Sequence, residues 1–266
     1  MSVTAVADSV ATPAVPGVTF LCMDNVSRHF GTLKAVDGVS FEMRAGELRA
    51  VIGPNGAGKT TFFNLISGLL PPTSGQVTFE GENITQETIV HRVARGIVRT
   101  FQITEILPDL NVFENIRIGV ETQAGLNSKP WINRARRDAV DERVNELINL
   151  VNLNGKSWRT VGELAHGDQR TTEIAMALAQ LPRLLLLDEP TAGMGDQETY
   201  EITALIRRLH RESNYTIVLI EHDMRVVFHL ADHITVLDQG RLLAEGTPKE
   251  IAASEAVQAA YLGEAE

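Results

Sequence analysis

The chain has 266 residues, of which 34 are acidic and 24 basic, so its formal net charge is −10. This length is enough for one large or two modest domains with a substantial hydrophobic core. The acidic balance, without any lysine- or arginine-rich run, disfavours a nucleic-acid partner. The single cysteine, Cys22, excludes an internal disulfide framework and fits a reducing compartment. We find no apolar run of the roughly 18 residues that cross a membrane, and no signal peptide at the N-terminus.

In chain order, the predicted elements follow an α/β rhythm with one interruption. Residues 1–17 are rich in Ala, Val, Ser, Thr and Pro, a composition that predicts a flexible leader. An α/β core is expected over 18–102 and again over 164–262. Between them, residues 103–163 contain a charged segment with helical periodicity, which predicts an inserted helical subdomain. The core elements that bear on function are a strand at Leu48–Ile52, a helix at Thr60–Leu69, a helix at about 169–181 and a strand at Leu184–Leu187.

The first motif, "VIGPNGAGKTT", joins the strand at Leu48–Ile52 to the following helix. Its glycines allow successive backbone N–H groups to converge on phosphate oxygens, and the helix start adds the positive end of its dipole. Lys59 can reach the β- and γ-phosphates, while the Thr60 hydroxyl can hold Mg²⁺. A chance glycine-rich turn is the alternative, which the lysine and threonine disfavour. The predicted phosphate-binding residues are Gly53, Pro54, Asn55, Gly56, Ala57, Gly58, Lys59, Thr60 and Thr61.

The second motif, "LLLLDEP", is an apolar run that ends in two carboxylates. Such a run predicts a buried parallel strand that delivers its acids at the carboxyl edge of the sheet. There Asp188 can orient the water shell of Mg²⁺, and Glu189 can act as the general base on a water that attacks the γ-phosphate. A strand followed by solvent-facing acids is the alternative, and the neighbouring phosphate loop argues against it.

The order of these motifs resembles the nucleotide-binding domain of ATP-binding cassette (ABC) transporters, over about residues 18–262. The resemblance implies an ABC-type P-loop NTPase core, α/β in class, with an N-terminal antiparallel β-subdomain and an inserted helical subdomain. It implies that Gln102 in "RTFQ" contacts Mg²⁺ and the attacking water, and that His222 in "LIEHDM" contacts the γ-phosphate. It further implies that Phe30 in "RHFG" stacks on adenine, with Val36 close by in the nucleotide site.

The stretch "LAHGDQRTTEIAMAL" falls where the family has its LSGGQ signature loop and the helix that follows. Leu164 and Gly167 match that pattern, whereas Ala165, His166 and Asp168 differ. In the family this loop contacts the nucleotide of a partner cassette, which implies the same for residues 165–168. We expect Asp168 to point away from the triphosphate or to pair with a cation. His166 either lies close to the partner's nucleotide or faces solvent or the permease.

The closing "YLGE", together with "NVFENI" and "LIEHDM", resembles importers of branched-chain amino acids and related amides. This resemblance implies an ATP-hydrolysing subunit that uses ATP and Mg²⁺, works with permease subunits and a second ATPase subunit, and depends indirectly on a substrate-binding protein. It also implies a cytoplasmic location, attached to the inner face of the membrane through the permeases.

Other functions stay open at this point. One is the ATPase of a lipopolysaccharide exporter, and another is a non-transport ABC ATPase. A GTPase or small-molecule kinase is disfavoured because the guanine-reading Asn-Lys-x-Asp motif is absent. Apolar residues after Gln102 predict either a groove for a permease helix or packing into the helical subdomain; they are Ile106, Leu107, Leu110, Val112 and Phe113.

Overall fold

The computed structural model describes residues 19–100, 106–126 and 133–262. The leader, Gln102 and the last four residues therefore lie outside the described residues. The strands within these ranges are β1 (Leu21–Phe30), β2 (Leu33–Met43), β3 (Leu48–Ile52), β4 (Ser74–Phe79), β5 (Glu82–Asn83), β6 (Ile97–Arg99), β7 (Leu184–Asp188), β8 (Thr216–Ile220), β9 (His233–Asp238) and β10 (Arg241–Gly246). The helices are α1 (Lys59–Ser67), α2 (Ile89–Ala94), α3 (Val112–Gln123), α4 (Arg134–Leu150), α5 (His166–Ala179), α6 (Asp196–Arg211), α7 (Met224–Leu230), α8 (Pro248–Ala252) and α9 (Glu255–Leu262).

A six-stranded sheet in the order β10-β9-β3-β8-β7-β6 forms the core. Its strands are parallel except β10, which pairs antiparallel with β9. Every residue of β3, β7 and β8 is buried, as expected of a parallel sheet covered on both faces. Val51 at the end of β3 and Asp188 at the end of β7 both align with Ile220 of β8. The two sequence motifs therefore meet at one edge of this sheet.

The second sheet is antiparallel, has the order β2-β1-β4-β5 and is built from the N-terminal part of the chain. One apolar cluster joins it to α1 and to one face of the core sheet. Within this cluster the ring of Phe41 from β2 meets the ring of Phe62 from α1 edge-on, with centroids 5.3 Å apart. The antiparallel β-subdomain that the resemblance implied is thus confirmed, and it packs on the helix that follows the phosphate loop.

Helices α3, α4 and α5 share a second apolar cluster with the other face of the core sheet. Helix α3 begins with a capping box, in which Asn111 Oδ1 accepts from Glu114 N and Glu114 Oε2 accepts from Asn111 N. Phe113 in its first turn is buried and stacks on Trp158, with ring centroids 4.8 Å apart. Leu107, by contrast, is 46% exposed. Of the two alternatives for the apolar residues after Gln102, packing into the helical subdomain is therefore the one that Val112 and Phe113 follow.

Helix α5 begins at His166, three residues earlier than the sequence pattern indicates. Its cap residue Ala165 has no capping side chain, and the Gly167 N–H is instead accepted by the carboxylate of Glu198, 31 residues away. A helix start satisfied by a remote residue leaves no local signature in the sequence. Among the described helices, none combines the length and apolar character needed to cross a membrane.

Candidate functional site

The phosphate loop is wound so tightly that only glycine fits at two of its positions. Gly53 and Gly58 have φ angles of 152° and 97°. A Cβ atom at Gly53 would lie 2.0 Å from Leu237 O, and one at Gly58 would lie 2.3 Å from Ala35 O. No side chain can be placed at these distances, so both glycines are required by the close approach of neighbouring backbone.

Lys59 lies inside this loop rather than in solvent. Its ammonium group donates to Gly53 O at 2.6 Å and to Pro54 O at 2.9 Å, and the residue is 7% exposed. The loop thus encloses a cation among its backbone groups, as a cradle for phosphate oxygens requires. Asn55, Gly56 and Thr60 are exposed, and Thr61 is half-buried.

Phe30 ends β1 with 43% of its surface exposed. The guanidinium of Arg28 lies 4.7 Å from its ring centroid, which is a cation–π contact. An exposed ring of this kind offers a stacking surface to a flat heterocycle. Val36 differs, because its side chain is fully buried in the cluster beneath the antiparallel sheet.

Glu189 and His222, 33 residues apart, are brought together at the carboxyl edge of the sheet. His222 Nε2 lies 2.8 Å from Glu189 Oε1. The histidine side chain is 47% exposed and the glutamate side chain 20%. The two residues were predicted from separate motifs, and the structure makes them hydrogen-bonding partners.

Glu221, which was not predicted from the sequence, connects the two loops that carry Glu189 and His222. It is 4% exposed, and its Oε1 accepts from the Thr191 N–H at 3.0 Å and from the Thr191 hydroxyl. Its Oε2 accepts from the His222 N–H at 2.8 Å. The buried carboxylate therefore connects the loop after β7 to the loop after β8. An acid directly after the apolar strand "TIVLI" was the available signal.

Asp188 is buried and is held from two directions. Arg99 Nη2 donates to its Oδ2 at 2.6 Å, and Arg170 Nη2 from α5 donates to its backbone oxygen at 2.5 Å. Arg170 Nη1 also donates to Glu173 Oε2 at 2.6 Å. Neither arginine was singled out from the sequence. The sequence did contain one signal for Arg99: the short apolar run "GIVR" ends in a basic residue, just as the run "LLLLD" ends in an acid.

The signature loop is held by its own chain. The bond from the Gly167 N–H to Glu198 Oε1 is 2.9 Å long, and it lowers the pKa of the Glu198 carboxyl below its ordinary value. Lys156 Nζ donates to both carboxylate oxygens of Asp168 at 2.6 Å. Asp168 therefore pairs with a cation, one of the two arrangements expected for it. Ala165 and His166 are exposed, and the His166 ring lies beside Gly193.

A phosphate cradle and an acidic pair that meet at one sheet edge are the requirements of a P-loop nucleoside triphosphatase. The described geometry places the chain in that class.

Comparison with known proteins narrows the class to a family. The profile described as ABC transporter matches residues 36–192, and that described as branched-chain amino acid ATP-binding cassette transporter matches residues 241–266. The high-affinity branched-chain amino acid transport ATP-binding protein BraF of Pseudomonas aeruginosa is 41% identical, over 91% of this chain and 97% of its own length. The corresponding protein LivG of Escherichia coli is 39% identical, over 92% of this chain and 98% of its own length. The crystal structure of a nucleotide-free ATP-binding cassette from an ABC transporter superposes with a TM-score of 0.80, at 31% identity, over 91% of this chain and 98% of that one.

The chain therefore belongs to the ABC transporter family, as an ATP-binding subunit.

Proposed function

We propose that this chain hydrolyses ATP to power an importer of branched-chain amino acids or related small amides. The proposal is carried by one observation: the phosphate loop that encloses Lys59 lies at the same sheet edge as Asp188, Glu189 and His222. The names of the relatives BraF and LivG and the match at residues 241–266 support the choice of transported solute.

ATP binding is assigned to the phosphate loop and to Phe30. The backbone N–H groups of residues 53–61, apart from Pro54, which has none, donate to the phosphate oxygens. Lys59 exchanges its carbonyl partners for the β- and γ-phosphates. The exposed Phe30 ring stacks on adenine. Val36 would support the nucleotide site by packing in the apolar cluster beneath the antiparallel sheet, because its side chain does not reach the surface.

Thr60 and Asp188 would hold Mg²⁺, with Gln102 as a further ligand. The bound ion would neutralise charge that develops on the phosphate oxygens during transfer. Within the described ranges, no three or more His, Cys, Asp or Glu side chains are grouped to hold a metal. Mg²⁺ is commonly bound through one or two carboxylates and completes its shell with substrate phosphates and water, and Asp188 would be the carboxylate here.

Glu189 is the proposed general base for hydrolysis. Its carboxylate accepts the proton of the water that attacks the γ-phosphate. The 2.8 Å contact with His222 Nε2 orients that carboxylate, and the exposed part of the His222 ring is available to the γ-phosphate. Positioning by these two side chains supplies the alignment on which phosphoryl transfer depends.

The proposed assembly contains two ATPase subunits, identical or different, and permease subunits that place them at the inner face of the membrane. Residues Ala165, His166, Gly167 and Asp168 of one subunit would approach the ATP held by the other. A substrate-binding protein would act indirectly, by delivering solute to the permeases.

Reconstitution tests this proposal. The chain is co-purified with its permeases, placed in vesicles with ATP, and assayed for uptake of leucine, urea and sulfate. Leucine or amide uptake that is lost with Glu189→Gln is the expected result. Sulfate uptake alone would overturn the solute assignment, and ATPase stimulation by lipopolysaccharide without solute uptake would favour the export alternative.

A further inference from the structure

Arg99, the last residue of β6, is a buried cation with no role in the function proposed above. Its side chain is 6% exposed, and its Nη2 donates to Asp188 Oδ2, where the carboxylate is 4% exposed. Its Nη1 donates to Asn64 Oδ1 of α1 at 2.5 Å, and its guanidinium lies 5.5 Å from the Phe63 ring centroid. Arg99 thus connects three elements: β6, the end of β7, and the helix that follows the phosphate loop.

The register of the core sheet puts the arginine in this position. Strand β6 runs parallel to β7, with Arg99 opposite Leu186, two residues before Asp188. The Thr100 N–H continues the pairing to Leu186 O at 2.9 Å. A long side chain at Arg99 therefore reaches forward to the carboxyl end of its neighbour.

The energetic consequence concerns the charge of Asp188. A carboxylate that is almost fully buried needs a counter-charge, because burial without one carries a large desolvation cost. Arg99 supplies that charge within hydrogen-bonding distance. A divalent cation that approaches the same carboxylate must do so against the positive charge already paired with it, and this repulsion is little screened in a buried site.

We propose that Arg99 is a positioning residue that acts through Asp188, as the resident counter-charge that limits how much Mg²⁺ strengthens ATP binding. The inference rests on the proposed use of Asp188 for Mg²⁺. Arg99 holds the carboxylate ready before the metal arrives, and it lowers the additional affinity gained when the metal binds.

The test compares ATP affinity with and without Mg²⁺. All chains carry Glu189→Gln to prevent hydrolysis, and calorimetry gives the ratio of Kd in EDTA to Kd in Mg²⁺. Arg99→Gln keeps a hydrogen-bond donor but removes the charge, and we expect it to raise this ratio about tenfold. Arg99→Lys keeps the charge and should stay close to the unsubstituted ratio. The control is Arg95→Gln, an exposed arginine paired with Glu87 in the turn before β6.

If the ratio of Kd in EDTA to Kd in Mg²⁺ is unchanged or lower in Arg99→Gln, the inference is overturned, because the charge of Arg99 would then not limit the effect of Mg²⁺ on ATP binding. If the unsubstituted site shows no effect of Mg²⁺ at all, the proposed use of Asp188 for the metal fails instead.

A second measurement needs no nucleotide. Arg99→Gln should lower the thermal midpoint by leaving a buried charge unpaired, and adding Asp188→Asn should recover most of that loss. A loss without recovery would mean that Arg99 only packs against Asn64 and Phe63, which would contradict the counter-charge role. This comparison decides the question even if the single variant folds poorly.

Discussion

Glu189 is held in a backbone conformation that few residues other than glycine adopt. Its φ is 46°, in the left-handed region, and its N–H donates to Ile220 O at 2.9 Å. Such strain costs free energy and persists where the surroundings over-determine it, often at functional sites. Here the strained backbone turns the carboxylate toward His222, so the strain and the hydrogen bond act on the same group.

The first prediction concerns this carboxylate. Glu189→Gln should lower the rate of ATP hydrolysis by a factor of about 10² to 10⁴ while leaving ATP affinity nearly unchanged, because an amide cannot accept the proton of water. Phosphate release and equilibrium ATP binding measure the two effects separately. Lys59→Ala should lose binding as well, since it removes the cation inside the phosphate loop.

The matched control is Glu212→Gln, an exposed glutamate just after α6. It should hydrolyse ATP like the unsubstituted chain. Turnover by Glu189→Gln close to that rate would show that another group is the general base.

At the scale of elements, Glu198 joins the starts of α5 and α6. Its carboxylate accepts from the Gly167 N–H of α5 at 2.9 Å and, more weakly, from the Gly195 N–H of α6 at 3.4 Å. Each helix start carries a partial positive charge, which favours an anion between them. The bond to Gly167 is the main cause of the lowered pKa of Glu198.

The second prediction follows from that lowered pKa. A carboxyl whose pKa falls on folding stabilises the native state above its unfolded pKa, and this contribution is lost as pH falls through the folded-state pKa. Glu198→Gln should therefore lower the thermal midpoint at pH 7, with the difference shrinking toward acid pH. Hydrogen exchange at the Gly167 amide should also become faster. Glu201→Gln, one turn further along α6, is the control, and an equal effect there would exclude the specific contact.

The third prediction separates two apolar residues of the segment after Gln102. Leu107 is exposed, and the buried side chain of Asn115 accepts a hydrogen bond from its N–H and donates one to its carbonyl oxygen. Leu107→Glu should leave the thermal midpoint and the ATP hydrolysis of the isolated chain unchanged, but it should weaken solute-stimulated hydrolysis in the complex with the permeases. Phe113→Glu should instead cost at least about 3–5 kcal/mol of stability, because it removes a packed aromatic ring and places a carboxylate in a buried apolar site.

Val90→Glu is the control for these variants, because Val90 is 72% exposed on α2. Normal coupling in Leu107→Glu would show that this residue does not contact a permease. An unchanged midpoint in Phe113→Glu would contradict its packing against Trp158.

What the sequence could predict depends on how local the cause is. The strand β3 was predicted to the residue and β7 to within one residue, because apolar runs and flanking polar residues define them locally. The start of α5 was missed because Glu198, which satisfies it, lies on another element. The Arg99–Asp188 pair, 89 residues apart, depends on sheet register, which local patterns do not contain. The burial of Phe113 depends in the same way on Trp158.

At the scale of the whole molecule, the phosphate loop and the signature loop lie on different elements with different partners. The phosphate loop packs against backbone of the antiparallel sheet and of the turn after β9. The signature residues Gly167 and Asp168 bind Glu198 of α6 and Lys156 of a 3-10 turn. If both segments contact nucleotide as proposed, two subunits that pair head to tail would each offer the phosphate loop to one ATP and the signature loop to the other.

The last prediction is that ATP controls this association. With Glu189→Gln to prevent hydrolysis, ATP should convert the chain from monomer to dimer, or to a heterodimer when a sister ATPase subunit is supplied. Each bound triphosphate would then bring anionic oxygens to the start of a partner's α5, where the helix dipole and the Gly167 N–H favour an anion. The carboxylate of Glu198 occupies that N–H within the subunit, so dimer formation must compete with an internal anion. Light scattering with and without ATP measures the change, and Lys59→Ala in the same background should stay monomeric. A monomer at saturating ATP, with the sister subunit present, would show that the two segments do not act across an interface.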